Sequence, residues 1–168
     1  LTSVTLPESL DKIDDFVFNT CENLTYVSFP SGLSDEGTGA YILNDCDALT
    51  SIKPSAAWKD VPSGIFARCD GITDFSSVLY EGVTKIGGAA FFKCSGVTEV
   101  TIPSTVKEIG YCAFEQMQLT DVVLPEGLTT LGSRAFAMTG LSEVNLPDSL
   151  VEIGAGAFSS TKISGELK

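Results

Sequence analysis

A short phrase recurs along this chain at nearly fixed intervals, and no other feature restricts its fold so sharply. Leu1-Thr-Ser-Val-Thr-Leu-Pro returns as Leu24-Thr-Tyr-Val-Ser-Phe-Pro, Val97-Thr-Glu-Val-Thr-Ile-Pro, Leu119-Thr-Asp-Val-Val-Leu-Pro and Leu141-Ser-Glu-Val-Asn-Leu-Pro. Degraded copies at Leu49-Thr-Ser-Ile-Lys-Pro and Ile72-Thr-Asp-Phe fill the gap, so repeats begin at residues 1, 24, 49, 72, 97, 119 and 141, with a partial eighth from 163. A unit of 22 to 25 residues cannot bury its own apolar face, whereas stacked units bury it between them. The chain therefore reads as one domain of stacked coils.

The second half of each unit is equally regular. Val106, Ile109, Gly110, Ala113 and Phe114 correspond to Leu128, Leu131, Gly132, Ala135 and Phe136, and to Leu150, Ile153, Gly154, Ala157 and Phe158. The common pattern is L-T-x-V-x-L-P-x-x-L-x-x-I-G-x-x-A-F-x-x-C. Its opening alternates apolar and polar residues, as a strand with one buried face does, and the following Pro cannot continue a ladder. Further on, apolar residues at offsets of four, five and eight, as in Ile13, Val17, Phe18 and Cys21, predict a short helical or three-ten turn. The expected fold class is an α/β solenoid with one parallel β-sheet and short helical or three-ten turns on the opposite side. Stacking at about 4.8 Å would set like residues in columns.

The period falls in the range of leucine-rich repeats. The L-P after the strand and the I-G-x-x-A-F block together resemble the BspA-like leucine-rich repeat family of bacterial surface and secreted proteins, over nearly the whole chain. That resemblance implies a right-handed coil, an extracellular or cell-surface location as part of a larger exported protein, and adhesion or other protein recognition as the role. Repeats two to four depart from the pattern. The second inserts Ser34-Asp35-Glu36-Gly37-Thr38-Gly39, the third sets Trp58 where Leu belongs, and the fourth carries about two extra residues before Val83. With Gly39 or Pro62 near the Gly column and no Ala-Phe pair in repeats two and three, the pattern leaves the local coil shape there open. Insertions in solenoids become loops on one face, which makes these repeats a second place to look for binding, beside neutral drift.

Composition narrows the function. Apolar residues make up 43% and charged residues 19%, too apolar for disorder, and no apolar run nears the roughly 20 residues of a membrane-spanning helix. A formal charge of −12 repels phosphate backbones and anionic lipid surfaces, which argues against nucleic acid as a partner and against membrane insertion. Histidine is absent, which removes histidine-based triads, Cys-His pairs and imidazole metal sites. Cys21, Cys46, Cys69 and Cys94 share one column that Met117 then continues, so they read as buried, reduced thiols and not as metal ligands. Cys112 lies beside the Ala-Phe pair and is expected half-buried or exposed. The glycine-rich spots lack the Lys-Ser/Thr of a phosphate loop. No catalytic residue, metal or cofactor is indicated, and the chain is not expected to be an enzyme.

Function should then lie in residues that point outward. The third position of each repeat holds Ser3, Tyr26, Ser51, Asp74, Glu99, Asp121 and Glu143. Like charges on adjacent strands are unfavourable, so the acidic run Asp74, Glu99, Asp121 and Glu143 invites a cation or a basic protein or peptide, if it is not simply solvated. Tyr26 is the aromatic candidate on the same face, while Trp58 falls in a core column. Two other readings stand beside a recognition module: a rigid spacer without a ligand, and an enzyme using a carboxylate pair such as Glu99 and Asp121, which an open strand face suits poorly. The opening at Leu1 and the stop shortly after Ile163 leave core columns uncapped. More repeats or domains, or end-to-end packing of chains, are expected to cover them.

Overall fold

A computed structural model describes residues 1–164, which wind through seven stacked coils; the partial eighth coil lies almost wholly outside the described residues. The L-T-x-V-x segments form a first parallel ladder. Its strands are β1 (Ser3–Thr5), β2 (Tyr26–Ser28) and β3 (Ser51–Lys53). Their partners align without slip, Val4 with Val27 and Val27 with Ile52. Each strand is short because its one inward residue is followed by the Pro that ends the ladder.

A second ladder was not foreseen. It is built from β4 (Asp60–Val61), β5 (Lys85–Ile86), β7 (Glu108–Ile109), β9 (Thr130–Leu131) and β10 (Glu152–Ile153), paired in that order and all parallel. The first ladder resumes with β6 (Glu99–Thr101) and β8 (Asp121–Val123), which pair with each other. The single sheet expected from the sequence is thus two parallel ladders; coils 3, 5 and 6 carry a strand of each, and the first ladder is interrupted at coil 4.

The helical or three-ten turns do not form: among the described residues there is no helix. The reason lies in where the amides go. The N–H groups of Gly64, Phe66 and Arg68 donate to Gly88, Ala90 and Phe92 of the next coil at 2.9, 2.9 and 2.7 Å, while those of Ile65, Ala67 and Cys69 donate back three residues within the coil. Alternate peptide units are committed to a neighbouring coil, which an α-helix, with every amide bonded four residues back, would forbid. The segment is a run of tight turns instead. Two positions per coil take left-handed φ between 54° and 66°: Phe16 and Thr20, Tyr41 and Asp45, Gly64 and Arg68, Ala89 and Lys93, Cys112 and Gln116, Arg134 and Met138, Gly156 and Ser160. A positive φ at the third residue is what a type II turn needs. Coils two and three keep these dihedrals, and Ile42-Leu43 and Ile65-Phe66 take the Ala-Phe places.

Inside, the columns are filled as stacks. Phe66, Phe91, Phe114, Phe136 and Phe158 follow one another with ring centroids 5.8, 5.2, 5.1 and 5.8 Å apart. All five cysteines are free, and the thiols of Cys46, Cys69 and Cys94 donate to the carbonyls of Phe18, Leu43 and Phe66 in the preceding coil. Burial pushes the Cys46 thiol up to about 11 and the Cys94 thiol up to about 12. Cys112 is a correction, since it is buried with its thiol pushed up by desolvation. Trp58 is buried as well, its Nε1–H donating to Thr38 Oγ1 at 2.8 Å. No helix of the described residues is long and apolar enough to cross a membrane.

Candidate functional site

Coil 4 breaks the first ladder, and one residue accounts for it. In the column where coils 1, 2, 3, 5 and 6 carry Val4, Val27, Ile52, Val100 and Val122, coil 4 carries Phe75. Its larger ring sinks into the phenylalanine stack, 4.0 Å from Phe91 and 6.1 Å from Phe66 between centroids. The backbone then turns at once, with the amides of Val78 and Leu79 both donating to the Phe75 carbonyl at 2.9 and 2.8 Å. Asp74 is diverted too, its carboxylate accepting the amide and hydroxyl of Ser76, which hold it below the usual carboxylate range. Where a fourth strand would have run, a cleft of about 390 Å³ opens, lined by residues that include Asp74, Phe75, Ser76, Glu81, Glu99 and Thr101.

The acidic column is therefore not a ladder of four. Glu99 and Asp121 are partners in adjacent strands, both exposed. Asp74 lies in the turn at the cleft and Glu143 in an irregular segment, both exposed and both outside strands. Tyr26 pairs with Ser3 and Ser51, half-buried and three coils away from Glu99. The structure brings Asp74, Glu99 and Asp121 to one region and leaves Tyr26 apart.

The second ladder shows how the same chain manages charge when the face is structural. There Lys85 stands between Asp60 and Glu108 in register, bonded to Glu108 at 2.8 Å. Among the described residues, neither Glu99 nor Asp121 has an ion-pair partner. Nor do three Cys, Asp or Glu side chains there converge as a set that could hold a metal ion.

A second concavity, of about 420 Å³, lies on the turn side between Tyr41, Arg68, Phe92, Tyr111 and Arg134. Its rim holds a built ion pair: Glu115 is 3% exposed and receives the Arg134 guanidinium through Nε at 3.1 Å and through Nη2. That hydrogen bonding keeps the Glu115 carboxyl below its ordinary value against the opposing effect of burial. The groove could not be found from the repeat, because the left-handed turn positions decide which side chains reach the surface.

A stack of 22 to 25-residue coils, most of them opening on L-T-x-V-x-L-P and each holding at least one short parallel strand in this phrase or by the I-G block, is a leucine-rich-repeat solenoid. Residues 1–78 and 74–165 match the model for the BspA type leucine rich repeat region, and the chain belongs to that family. Among solved structures, a leucine-rich repeat protein from Bacteroides ovatus is similar over 94% of this chain and 54% of its own, at 20% identity and a TM-score of 0.59. The Leucine Rich Repeat protein of T. pallidum matches over 90% and 68%, at 26% identity and a TM-score of 0.66. A leucine rich cell surface protein from Faecalibacterium prausnitzii matches over 96% and 48%, at 22% identity and a TM-score of 0.57. The chain thus spans about half the length of the first and third of these. No curated protein sequence matches it.

Proposed function

We propose that this chain is a non-catalytic recognition module of a bacterial cell-surface or secreted protein, and that the first-ladder face around Glu99 and Asp121 docks a basic protein or peptide. The observation that carries the reading is the contrast between the two ladders. The second alternates acid and base along Asp60, Lys85 and Glu108, whereas the first sets two carboxylates side by side without a counter-charge. Exposed like charges cost little in water and are screened by salt, so the fold tolerates them. A basic partner gains from a row already in place, chiefly in its rate of encounter. The surface location rests on the family and on the F. prausnitzii relative described as a cell surface protein.

The test is surface plasmon resonance with basic matrix proteins over the immobilised chain, across a salt series. Association should slow as salt rises. Glu99→Gln combined with Asp121→Asn should slow it about three- to tenfold at low salt, with the thermal midpoint unchanged or slightly raised as repulsion is relieved. A double variant that associates as fast as the parent at low salt removes this face from recognition.

A further inference from the structure

We propose that β6 accepts an extended segment of a basic peptide as an added strand, in the slot that coil 4 leaves open. The preference for a basic sequence rests on the reading above; the backbone pairing does not. In a parallel pair, the residues of one strand alternate between its two edges. The Thr98 carbonyl and the Ile102 amide are bonded to coil 6, to Thr120 N–H and the Val123 carbonyl. The amides and carbonyls of Glu99 and Thr101 consequently face coil 4, and among the described residues no backbone hydrogen bond joins residues 72–78 to β6. An unpaired strand edge is a template for another strand.

The slot has ends, a floor and a rim. At one end Gly96 packs against the Ile72 carbonyl, too close for any side chain. At the other, Glu81 receives the Ser104 amide at 3.0 Å and its hydroxyl at 2.8 Å. Between them lies the three-residue strand Glu99–Thr101, so about 10 Å of extended chain, or three residues, can pair. Buried Phe75 and Val97 with half-buried Leu79 form the floor, and Asp74, Glu81 and Glu99 the rim. An extended peptide presents side chains to opposite faces in alternation. Val on one face and Lys on the other would meet this floor and this rim, and the chain's charge of −12 favours the same partner.

The probe is a fluorescein-labelled peptide, Val-Lys-Val-Lys-Val with capped ends, titrated with the whole chain by anisotropy. Two further versions carry backbone N-methyl groups, one on the valines and one on the lysines, so that each blocks a single edge of the peptide. Strand addition uses one edge. One methylated version should lose about tenfold or more in affinity and the other much less, while the amides of Glu99 and Thr101 gain protection from hydrogen exchange. Thr101→Pro, which removes an amide facing the slot and spares the bonds from coil 5 to coil 6, should weaken the unmodified peptide to a similar degree. If all three peptides bind alike, charge alone attracts them: strand addition is overturned and the acidic-face reading survives. Absence of binding by any of them overturns both. Concentration-dependent self-association that Thr101→Pro abolishes would assign the edge to a second copy of the chain and overturn the peptide assignment.

Discussion

Glycine 110 has no room for a methyl group, and its neighbour in the stack is the cause. A Cβ there would lie 2.7 Å from the backbone nitrogen of Gly88, and one on Gly87 would lie 2.6 Å from the Val61 carbonyl. The atoms it would meet belong to backbones held by two ladders and a run of turns, so they cannot give way. Gly110→Ala should cost about 2 kcal/mol or more, since overpacking into a close-packed stack typically costs 1 to 3. Gly32, with nothing within 4 Å and no left-handed φ, is the control: alanine there should be neutral or stabilise by about 0.4 to 1 kcal/mol. Urea denaturation of the two variants decides it; equal midpoints would mean the coils can spread. The thiols make a second residue-scale prediction. Cys94 is raised from 9.0 to about 12 in the folded chain, chiefly by burial. Its neutral form is thus favoured by folding, a contribution intact below about pH 9 and lost as pH climbs from there toward 12. Each such thiol steepens the decline by up to about 1.4 kcal/mol per pH unit. Cys94→Thr, borrowing the residue that bonds the Phe136 carbonyl at Thr139 in the same column, should flatten the decline; an unchanged slope in urea titrations across that range would show that Cys94 does not cause it.

The turned side is an element whose geometry outranks its side chains. Twelve residues other than glycine hold left-handed φ there, among them Phe16, Tyr41, Arg68 and Gln116. Such a conformation costs an L-residue roughly 1 kcal/mol or more, and the inter-coil hydrogen bonds on either side offset it. Gln116 is half exposed with φ of 61°, and Gln116→Gly should therefore stabilise the chain by about 0.5 to 1 kcal/mol, the reverse of what glycine does in a helix. A loss of stability on chemical denaturation would count against the turn account. The same element explains what the sequence did and did not disclose. The repeat and the first strand were legible because like residues recur at like positions over a full alternation. The second ladder was not, since a two-residue strand such as Lys85–Ile86 is too short to alternate. The inward offsets of Ile13, Val17, Phe18 and Cys21 fit a helical turn as well as the observed turns, and only the amide partners distinguish them. The acidic column could be read from spacing. The slot beside it could not, because Phe75 in a valine column looks like an apolar residue in an apolar place; its size, and not its polarity, breaks the strand.

At the scale of the molecule the charge is one-sided, with 22 acidic against 10 basic side chains. Self-repulsion of that kind destabilises a compact state and is relieved by salt. Raising sodium chloride from about 0.02 to 0.2 M should lift the melting temperature by about 2 to 4 °C, the shift that ~1 kcal/mol produces in a domain of this size. Calorimetry showing a fall would mean that surface pairs such as Lys12 with Asp14, 2.8 Å apart, outweigh the repulsion. The interrupted first ladder has a mechanical meaning as well. Tension along the stacking axis is borne in parallel by every row of bonds that links one coil to the next. Between coils 5 and 6 those rows run on all three sides, whereas between coils 3 and 4, 4 and 5, and 6 and 7 the first is missing and two carry the whole load. Under a steady pull the stack would part at one of these joints, and a strand added beside β6 would splint the one between coils 4 and 5.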